Sequence, residues 1–278
     1  MGQDDALHAR LDALGAQLAD VSKRLDGVMD VLKVLVDDES GNRRRLVELR
    51  ATPEYEAAYT EPDPLVSVLI PTYTNVEGLT NRALPSALAQ THRNLEVVVV
   101  GDDAGPEIAD AVAAFDDPRV SYINRPVRGP YPEDLHLVWL VAGGPPQNDA
   151  LEAARGRWIA PFSDDDALRP DAIETTLAEA RARRLEFAYG LLEVHHRDGS
   201  TSQLGEFPPR LHRFGNQGGV YHAGLRYFEH TTADALFAMP ADWSQMRRML
   251  RAGVRVGMVE RVVCDYYPSY TGEDNPHE

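Results

Sequence analysis

The chain of 278 residues has a single cysteine and no long apolar run. Because Cys264 has no second thiol to pair with in the chain, an intrachain disulfide is excluded, which fits a reducing compartment. No apolar stretch approaches the ~18 residues that a membrane-spanning helix needs. Residues 1–5 are acidic rather than basic, unlike the start of a secretory signal. We therefore expect a soluble, cytoplasmic protein.

Basic residues are also scarce. The chain has 28 Lys and Arg against 44 Asp and Glu, a net charge of −16. Such an acidic surface argues against a general nucleic-acid-binding protein and against a polybasic membrane anchor. Hydrophobic residues make up 43% of the chain, which is enough to bury a sizeable core. The length suits one large domain with an additional segment.

The additional segment is the first 50 residues, which carry a heptad pattern. Apolar residues recur in alternating steps of four and three, at Leu7, Leu11, Leu14, Leu18, Val21, Leu25, Val28, Leu32 and Leu35. So narrow a stripe is typical of a coiled coil, and we expect homo-oligomerisation through residues 7–35. The alternative is an amphipathic helix packed on its own domain. The pattern lapses over residues 37–42 and resumes in register at Leu46 and Leu49. Residues 51–64, with three prolines and several acids, predict a linker to a domain over 65–278.

From residue 65 onward, β-branched runs alternate with helical segments. Strands are predicted over 66–70, 95–100 and 120–124, and helices over 81–90 and 106–115. This alternation predicts an α/β fold with a mostly parallel sheet flanked by helices. Because parallel strands gather ligand-binding groups at their carboxyl ends, we expect Thr72, Asp102 and Asp165 to converge.

A short apolar run over residues 157–162 precedes three consecutive acids, Asp164, Asp165 and Asp166. Crowded like charges at a strand end repel one another, and a divalent cation that bridges carboxylates to phosphate oxygens would offset that repulsion. A solvated acidic turn is the alternative.

Four segments in this order resemble the family 2 glycosyltransferases of the GT-A fold: Val68 to Tyr73, Ser86 to Thr91, Leu95 to Asp102, and Asn148 to the acids. The resemblance covers roughly residues 65–265. It implies a Rossmann-like domain that transfers a sugar from a nucleotide-sugar donor to an acceptor hydroxyl, with inversion and with Mg²⁺ or Mn²⁺. It assigns donor nucleotide binding to Pro71, Thr72, Tyr73, Asp102, Asn148 and Asp164.

The same resemblance places the metal on Asp165 with Asp166 beside it, although Ser163 replaces the first acid of the family's usual Asp-x-Asp-Asp. Gln147 also stands where the family tends to carry an arginine, and Arg125 or Arg128 in the preceding loop are the candidates to compensate. In the glycine- and aromatic-rich segment 214–222, His222 is a candidate third metal ligand or acceptor contact. A purely structural histidine is the alternative.

Residues 240–253 predict a helix capped by Gly253. It resembles the family's acceptor-side helix, which implies that Asp242 is the catalytic base, although Ala241 replaces the usual Glu. An ordinary helix-start aspartate is the alternative. The departures at Ser163 and Ala241 keep open an inactive scaffold that assembles partners through the coiled coil. A nucleotidyltransferase is less favoured, because the loop after the first strand lacks a Gly- and Lys/Arg-rich sequence. The sequence does not identify the sugar or the acceptor, whether glycan, lipid-linked or small molecule.

Overall fold

The computed structural model describes residues 3–268, and the chain divides into two compact units, residues 1–41 and 42–278. Helix α1 (Gln3–Asp37) makes up most of the first unit. Its heptad side chains from Leu11 to Leu35 are exposed, with Leu18 at 64% and Leu25 at 59%. The helix ends before Asp38, whose φ of 39° is left-handed, where the heptad pattern lapses. Pairing of this apolar face with a second helix stays a prediction.

The second unit contains, among its described residues, nine strands in one mixed sheet. The strands are β1 (Val66–Thr72), β2 (Leu95–Gly101), β3 (Val120–Asn124), β4 (Trp158–Pro161), β5 (Ala167–Leu168), β6 (Phe187–His195), β7 (Thr201–Leu204), β8 (Val220–His222) and β9 (Val256–Tyr266). Their order is β3-β2-β1-β4-β8-β6-β9-β5, with β7 paired to β6. The four strands from β3 to β4 are parallel, whereas β8 runs antiparallel to β4. The predicted α/β fold is confirmed.

Helices cover the sheet. They are α2 (Glu39–Arg50), α3 (Pro53–Thr60), α4 (Val76–Gly78), a π-helical turn (Leu79–Ala83), α5 (Leu84–Leu88), α6 (Pro106–Ala113), α7 (Leu135–Val141), α8 (Gly144–Ala153), α9 (Ala172–Ala182) and α10 (Ala241–Ala252). The helix predicted over 81–90 begins earlier, because the Asn75 side chain caps it by accepting from the backbone N–H of Gly78. Gly253 ends α10 with a φ of 91°, as predicted. Among residues 3–268, no helix combines the length and the apolar character that spanning a membrane requires.

Both faces of the sheet are buried. Along β1, Val68 and Ile70 belong to one apolar cluster and Leu69 to the other, because successive side chains of a strand point to opposite faces. In β2, Val97 and Val98 divide between the clusters in the same way. Burial on both sides explains why these strands read as continuous β-branched runs.

The linker predicted over residues 51–64 instead contains α3. Thr52 caps this helix by accepting from the N–H of Tyr55, and Pro53 occupies the first turn, where its missing N–H costs nothing. Tyr55 and Tyr59 are buried, and the indole of Trp158 donates to the Ala58 carbonyl at 3.0 Å. Proline content therefore marked the boundaries of a short core helix rather than a spacer.

The resumed heptad in α2 also has a different role from the one predicted. Leu46 is 1% exposed and lies in the same apolar cluster as Leu69, and Leu49 packs against Gly224. These residues cover the sheet domain, as the alternative of a helix packed on its own domain describes. A heptad spacing could not distinguish the two outcomes, because either partner selects one face of a helix.

Candidate active site

A cavity of about 570 Å³ lies at the carboxyl ends of β1, β2 and β4. Its lining includes seven of the residues singled out in the sequence, namely Pro71, Thr72, Tyr73, Asp102, Asp164, Asp165 and Asp242. The strand ends thus bring together groups far apart in the chain. The volume suits a small-molecule ligand.

Asp102, directly after β2, holds the loop that follows β3. One carboxylate oxygen accepts from Arg125 at 2.7 Å and from the N–H of Gly129 at 3.0 Å, and the other accepts from the Tyr131 hydroxyl at 2.5 Å. Asp102 is 3% exposed, so these donors compensate its burial. Arg125 also donates a hydrogen bond to Asp149. Its guanidinium is therefore engaged by protein carboxylates rather than by a ligand phosphate.

The same loop builds one wall of the cavity. The Arg128 guanidinium lies 4.1 Å from the centroid of the Tyr73 ring and 5.2 Å from that of Tyr131. Burial, and then the neighbouring Asp102, raise the pKa of Tyr131, which keeps its hydroxyl a proton donor. Sequence reasoning missed Tyr131, whose only signal was its place in the loop after β3.

Asp164 and Asp165 both line the cavity. Thr72 donates to the Asp164 carboxylate at 2.6 Å, which ties the end of β1 to the acidic turn. Burial, opposed by the Thr72 bond and reinforced by the charge of Asp165, raises the pKa of Asp164 to about 6. Arg82 contacts Asp165 through its backbone carbonyl, so the Asp165 carboxylate makes no ion pair with any residue from 3 to 268.

Asp166 was predicted as a metal ligand, and the structure places it outside the lining of the cavity. It is fully buried. One of its oxygens accepts from Ser163 and the other accepts from the N–H of Tyr267 at 2.8 Å. Asp166 therefore fastens the acidic turn to the end of β9. Ser163, whose lack of charge was the departure from the family pattern, is its partner.

His222, the predicted third metal ligand, lies at the other end of β4 from the acids. It pairs with Trp158 at the start of β4, whereas the acids follow the end of that strand. Its Nδ1 accepts from the N–H of Gly224 at 2.9 Å, and its Nε2 contacts the Tyr55 carbonyl at 3.3 Å. Packed beside the rings of Tyr55 and Trp158, it is the structural histidine of the alternative reading.

Asn148, predicted to bind the nucleotide, does not line the cavity either. Its amide donates to the backbone carbonyl of His230 and accepts from the His230 N–H, both at 2.8 Å. Asn148 thus fixes the position of His230, which does line the cavity.

Asp242 is the second residue of α10, after Pro240 at the N-cap. One carboxylate oxygen accepts from the N–H of Trp243 at 2.6 Å, and burial raises the pKa of Asp242 to about 6. The helix start alone would have kept the pKa low. A carboxyl with a pKa near 6 suits a general base at neutral pH better than an ordinary aspartate does.

A further group within the described residues has the spacing of metal ligands, with donor atoms of Glu193, His195 and Asp265 within 4.8 Å of one another. The Arg169 guanidinium, however, contacts both carboxylates, at 2.7 Å from Asp265. Since a cation already neutralises these acids, we interpret the group as an ion-pair network supporting β6 and β9.

Comparison with known proteins shows which proteins this chain is similar to. A sequence model described as Glycosyl transferase family 2 matches residues 67–131, from β1 to the loop that ends at Tyr131. The succinoglycan biosynthesis protein ExoO of Rhizobium meliloti (strain 1021) is 34% identical over 142 residues, covering 51% of this chain and 37% of the relative. Through these matches the chain is similar to the glycosyltransferases of family 2.

A second relative is the UDP-Glc:alpha-D-GlcNAc-diphosphoundecaprenol beta-1,3-glucosyltransferase WfgD of Escherichia coli. It is 30% identical over 146 residues, which cover 52% of this chain and 51% of the relative. The chain thus spans about half or less of the length of these two relatives.

Solved structures share the GT-A fold of this chain. S. aureus TarS 1-349 in complex with UDP-GlcNAc has a TM-score of 0.58 at 16% identity, covering 74% of this chain and 59% of TarS. The mannosyltransferase PcManGT from Pyrobaculum calidifontis, in complex with GDP-Man and Mn²⁺, has a TM-score of 0.54 at 16% identity, covering 84% of this chain and 66% of PcManGT.

The acids at the end of β4 fit a divalent cation. Asp164 and Asp165 offer the hard oxygen donors that Mg²⁺ and Mn²⁺ prefer. The raised pKa of Asp164, caused by burial and by the charge of Asp165, shows that their negative charge is incompletely compensated by the surrounding protein. A cation held by these two residues would supply that compensation.

Proposed function

We propose that this chain is an inverting glycosyltransferase that moves a sugar from a nucleotide-sugar donor to an acceptor hydroxyl, assisted by a divalent cation. The observation that carries the proposal is one cavity, in a family 2 fold, that joins Asp242 to the acids and to the Pro71–Tyr73 loop. PcManGT supports a nucleotide sugar and Mn²⁺ as ligands, since its structure holds GDP-Man and Mn²⁺.

Each group has a separate role in the proposed reaction. Asp242 takes the proton from the acceptor hydroxyl as that oxygen attacks the anomeric carbon from the side opposite the departing nucleoside diphosphate. Asp164 and Asp165 would hold the cation, which, when bound, stabilises negative charge on a diphosphate. Tyr73, on the wall that Arg128 and Tyr131 complete, offers its ring to the nucleotide base.

The first test is a thermal-shift and calorimetric screen of UDP, GDP, UDP-glucose, UDP-N-acetylglucosamine and GDP-mannose, each with and without Mn²⁺. Ligands that bind the native state raise the melting temperature by mass action. We expect at least one nucleoside diphosphate to bind, more tightly with Mn²⁺, and its nucleotide sugar to be hydrolysed slowly. Binding of none of these would contradict the proposal. Binding without any hydrolysis would favour the alternative of an inactive scaffold.

The metal assignment predicts the effect of Asp165→Ala. This variant should bind the same nucleoside diphosphate with no gain from Mn²⁺, while its melting temperature without ligand stays near that of the wild type. Asp110→Ala, which removes an exposed acid from α6, is the matched control and should keep the Mn²⁺ effect. Calorimetric titrations that show an unchanged Mn²⁺ effect in Asp165→Ala would remove Asp165 from the metal site.

A further inference from the structure

Two buried polar atoms at the cavity lack hydrogen-bond partners among the described residues. They are Nε2 of Gln147 and Nδ1 of His230. Both residues line the cavity, and Gln147 is only 5% exposed. A buried amide or imidazole nitrogen without a partner costs stability, so such atoms are usually satisfied by a ligand or by ordered water.

Backbone geometry sets the two residues side by side. Gln147 lies one turn after Gly144, on the same face of α8. A Cβ atom added to Gly144 would lie 3.3 Å from the Cβ of His230, so glycine allows His230 to pack closely against the start of this helix. Asn148 then fixes the His230 backbone from the next position of α8 through its two 2.8 Å hydrogen bonds.

The pair lies between the two ends of the cavity. At one end, Gly143, which starts α8, packs against Pro71 of the loop after β1. At the other end, the His230 ring hydrogen-bonds the backbone of Ala241, the residue before Asp242. A ligand group held by Gln147 and His230 is therefore close to the proposed base, on the side of the cavity where β1 ends.

The chemistry of the pair is neutral and complementary. Burial, with the charge of Arg248 second, lowers the pKa of His230 to about 4, so the ring is uncharged at neutral pH. With Nε2–H assigned to the Ala241 carbonyl, Nδ1 is a bare acceptor. The Gln147 amide nitrogen is a donor. A single hydroxyl group satisfies both, because it can accept one hydrogen bond and donate another.

We propose that Gln147 and His230 form a subsite that recognises one hydroxyl group of the donor sugar, with Gln147 donating to it and His230 accepting from it. This inference rests on the proposed function and adds residues that determine which sugar is accepted. Phosphate is the poorer occupant, because its oxygens only accept hydrogen bonds and would leave Nδ1 of His230 without a donor. Gln147 thus differs in kind from the arginine that the family tends to carry at this position.

The first experiment measures the stability of unliganded variants by urea unfolding. Gln147→Met should leave the free energy of unfolding unchanged or raise it, because the substitution removes a buried nitrogen that lacks a partner. Gln90→Met is the matched control. Gln90 is fully buried too, but its amide bonds Ser86, Arg169 and Ile173, so its loss should destabilise the fold. Equal destabilisation by the two variants would show that the Gln147 nitrogen is satisfied within the protein, and would overturn the proposal.

The second experiment compares the affinity for a nucleotide sugar with the affinity for its nucleoside diphosphate, both measured with Mn²⁺. The candidate pairs are UDP with UDP-glucose, UDP with UDP-N-acetylglucosamine, and GDP with GDP-mannose, and the pair that binds the wild type best is used. Gln147→Met should keep diphosphate affinity within about twofold and weaken the nucleotide sugar about tenfold, the scale of one lost hydrogen bond. His230→Leu should do the same. Because both residues serve one hydroxyl, the double variant should lose much less than the product of the two single effects.

The outcomes separate this inference from the proposed function. A wild-type chain that binds neither diphosphates nor nucleotide sugars fails the proposed function, and the inference fails with it. A wild-type chain that binds both, with variants that leave the nucleotide-sugar affinity unchanged or weaken the diphosphate equally, overturns the hydroxyl subsite alone.

Discussion

At the scale of single residues, Asp242 shows how the position of a carboxyl group changes its pKa. Its place in the first turn of α10 favours the ionised form, yet burial has the larger effect and raises its pKa to about 6. A base must be ionised to accept a proton. We therefore expect activity to fall as the pH drops through about 6, and to be steady above pH 7.

Asp242→Asn should lower turnover about 10²-fold or more while keeping nucleotide-sugar affinity, because the amide fills the same space without accepting the proton. The same variant should stabilise the fold at pH 8 and have little effect only at about pH 4, near the unfolded pKa of an aspartate. The reason is that the raised pKa makes the ionised carboxyl the costly form in the folded state. Steady-state kinetics and thermal melts at both pH values test this. Retained turnover would make Asp242 a structural residue of the helix start.

The strand pattern of the sequence predicted which residues would meet at strand ends, whereas the surroundings of His222 and Gln147 became visible only in the structure. Thr72, Asp102 and Asp165 follow predictable strands, and parallel strands bring their ends together. The position of His222 opposite the start of β4 was not predictable, because composition does not tell which end of an antiparallel strand reaches the cavity. Gln147 stood out only as a departure from the family pattern. Its unpartnered nitrogen became visible once α8 and His230 were seen together.

At the scale of elements, the segment between the heptad helix and the sheet is fastened through one buried acid. Glu186 is fully buried at the start of β6, and it accepts from Arg50 of α2 at 2.7 and 2.8 Å. It also accepts from the Tyr55 hydroxyl of α3 and from the N–H of Arg255, both at 2.7 Å. Burial opposes ionisation of Glu186, but these donors together lower its pKa. Helices α2 and α3 are therefore part of the sheet domain.

Arg50→Ala should lower the free energy of unfolding by about 3–5 kcal/mol, because it leaves the buried charge of Glu186 without its strongest partner. Glu179→Ala is the control, since it breaks a pair with Arg183 on the surface of α9 and should cost less than about 1 kcal/mol. Urea unfolding of both variants gives the comparison. Similar small losses for the two would show that α2 contributes little to the domain.

At the scale of the whole molecule, the exposed face of α1 is the largest feature that the sheet domain does not explain. Helical structure up to Asp37 agrees with the heptad pattern, and its leucines and valines are exposed in the single chain. A stripe of this kind is a liability unless it is covered, and a second copy of the same helix is the simplest cover. Self-association through residues 7–35 is our proposal for it.

Leu18→Glu combined with Leu25→Glu should convert such an oligomer into monomers that still bind donor nucleotide. The control pair, Ala16→Glu with Lys23→Glu, lies on the opposite face of the heptad and should leave the assembly intact. Light scattering at micromolar concentration distinguishes these outcomes. A wild-type chain that is already monomeric would refute self-association.

The rate at which the single cysteine reacts with a thiol reagent can report local opening of the sheet. Cys264 is fully buried in β9, opposite Leu168, and burial followed by the nearby Asp166 raises the pKa of its thiol. A thiol reagent can therefore modify Cys264 only when β9 separates from its neighbouring strands. The labelling rate then measures how often β9 separates from them. The end of β9 is tied to the acidic turn through Tyr267 and Asp166. A nucleotide bound with Mn²⁺ in the adjoining cavity should consequently slow the labelling, and the absence of any other thiol makes the signal unambiguous.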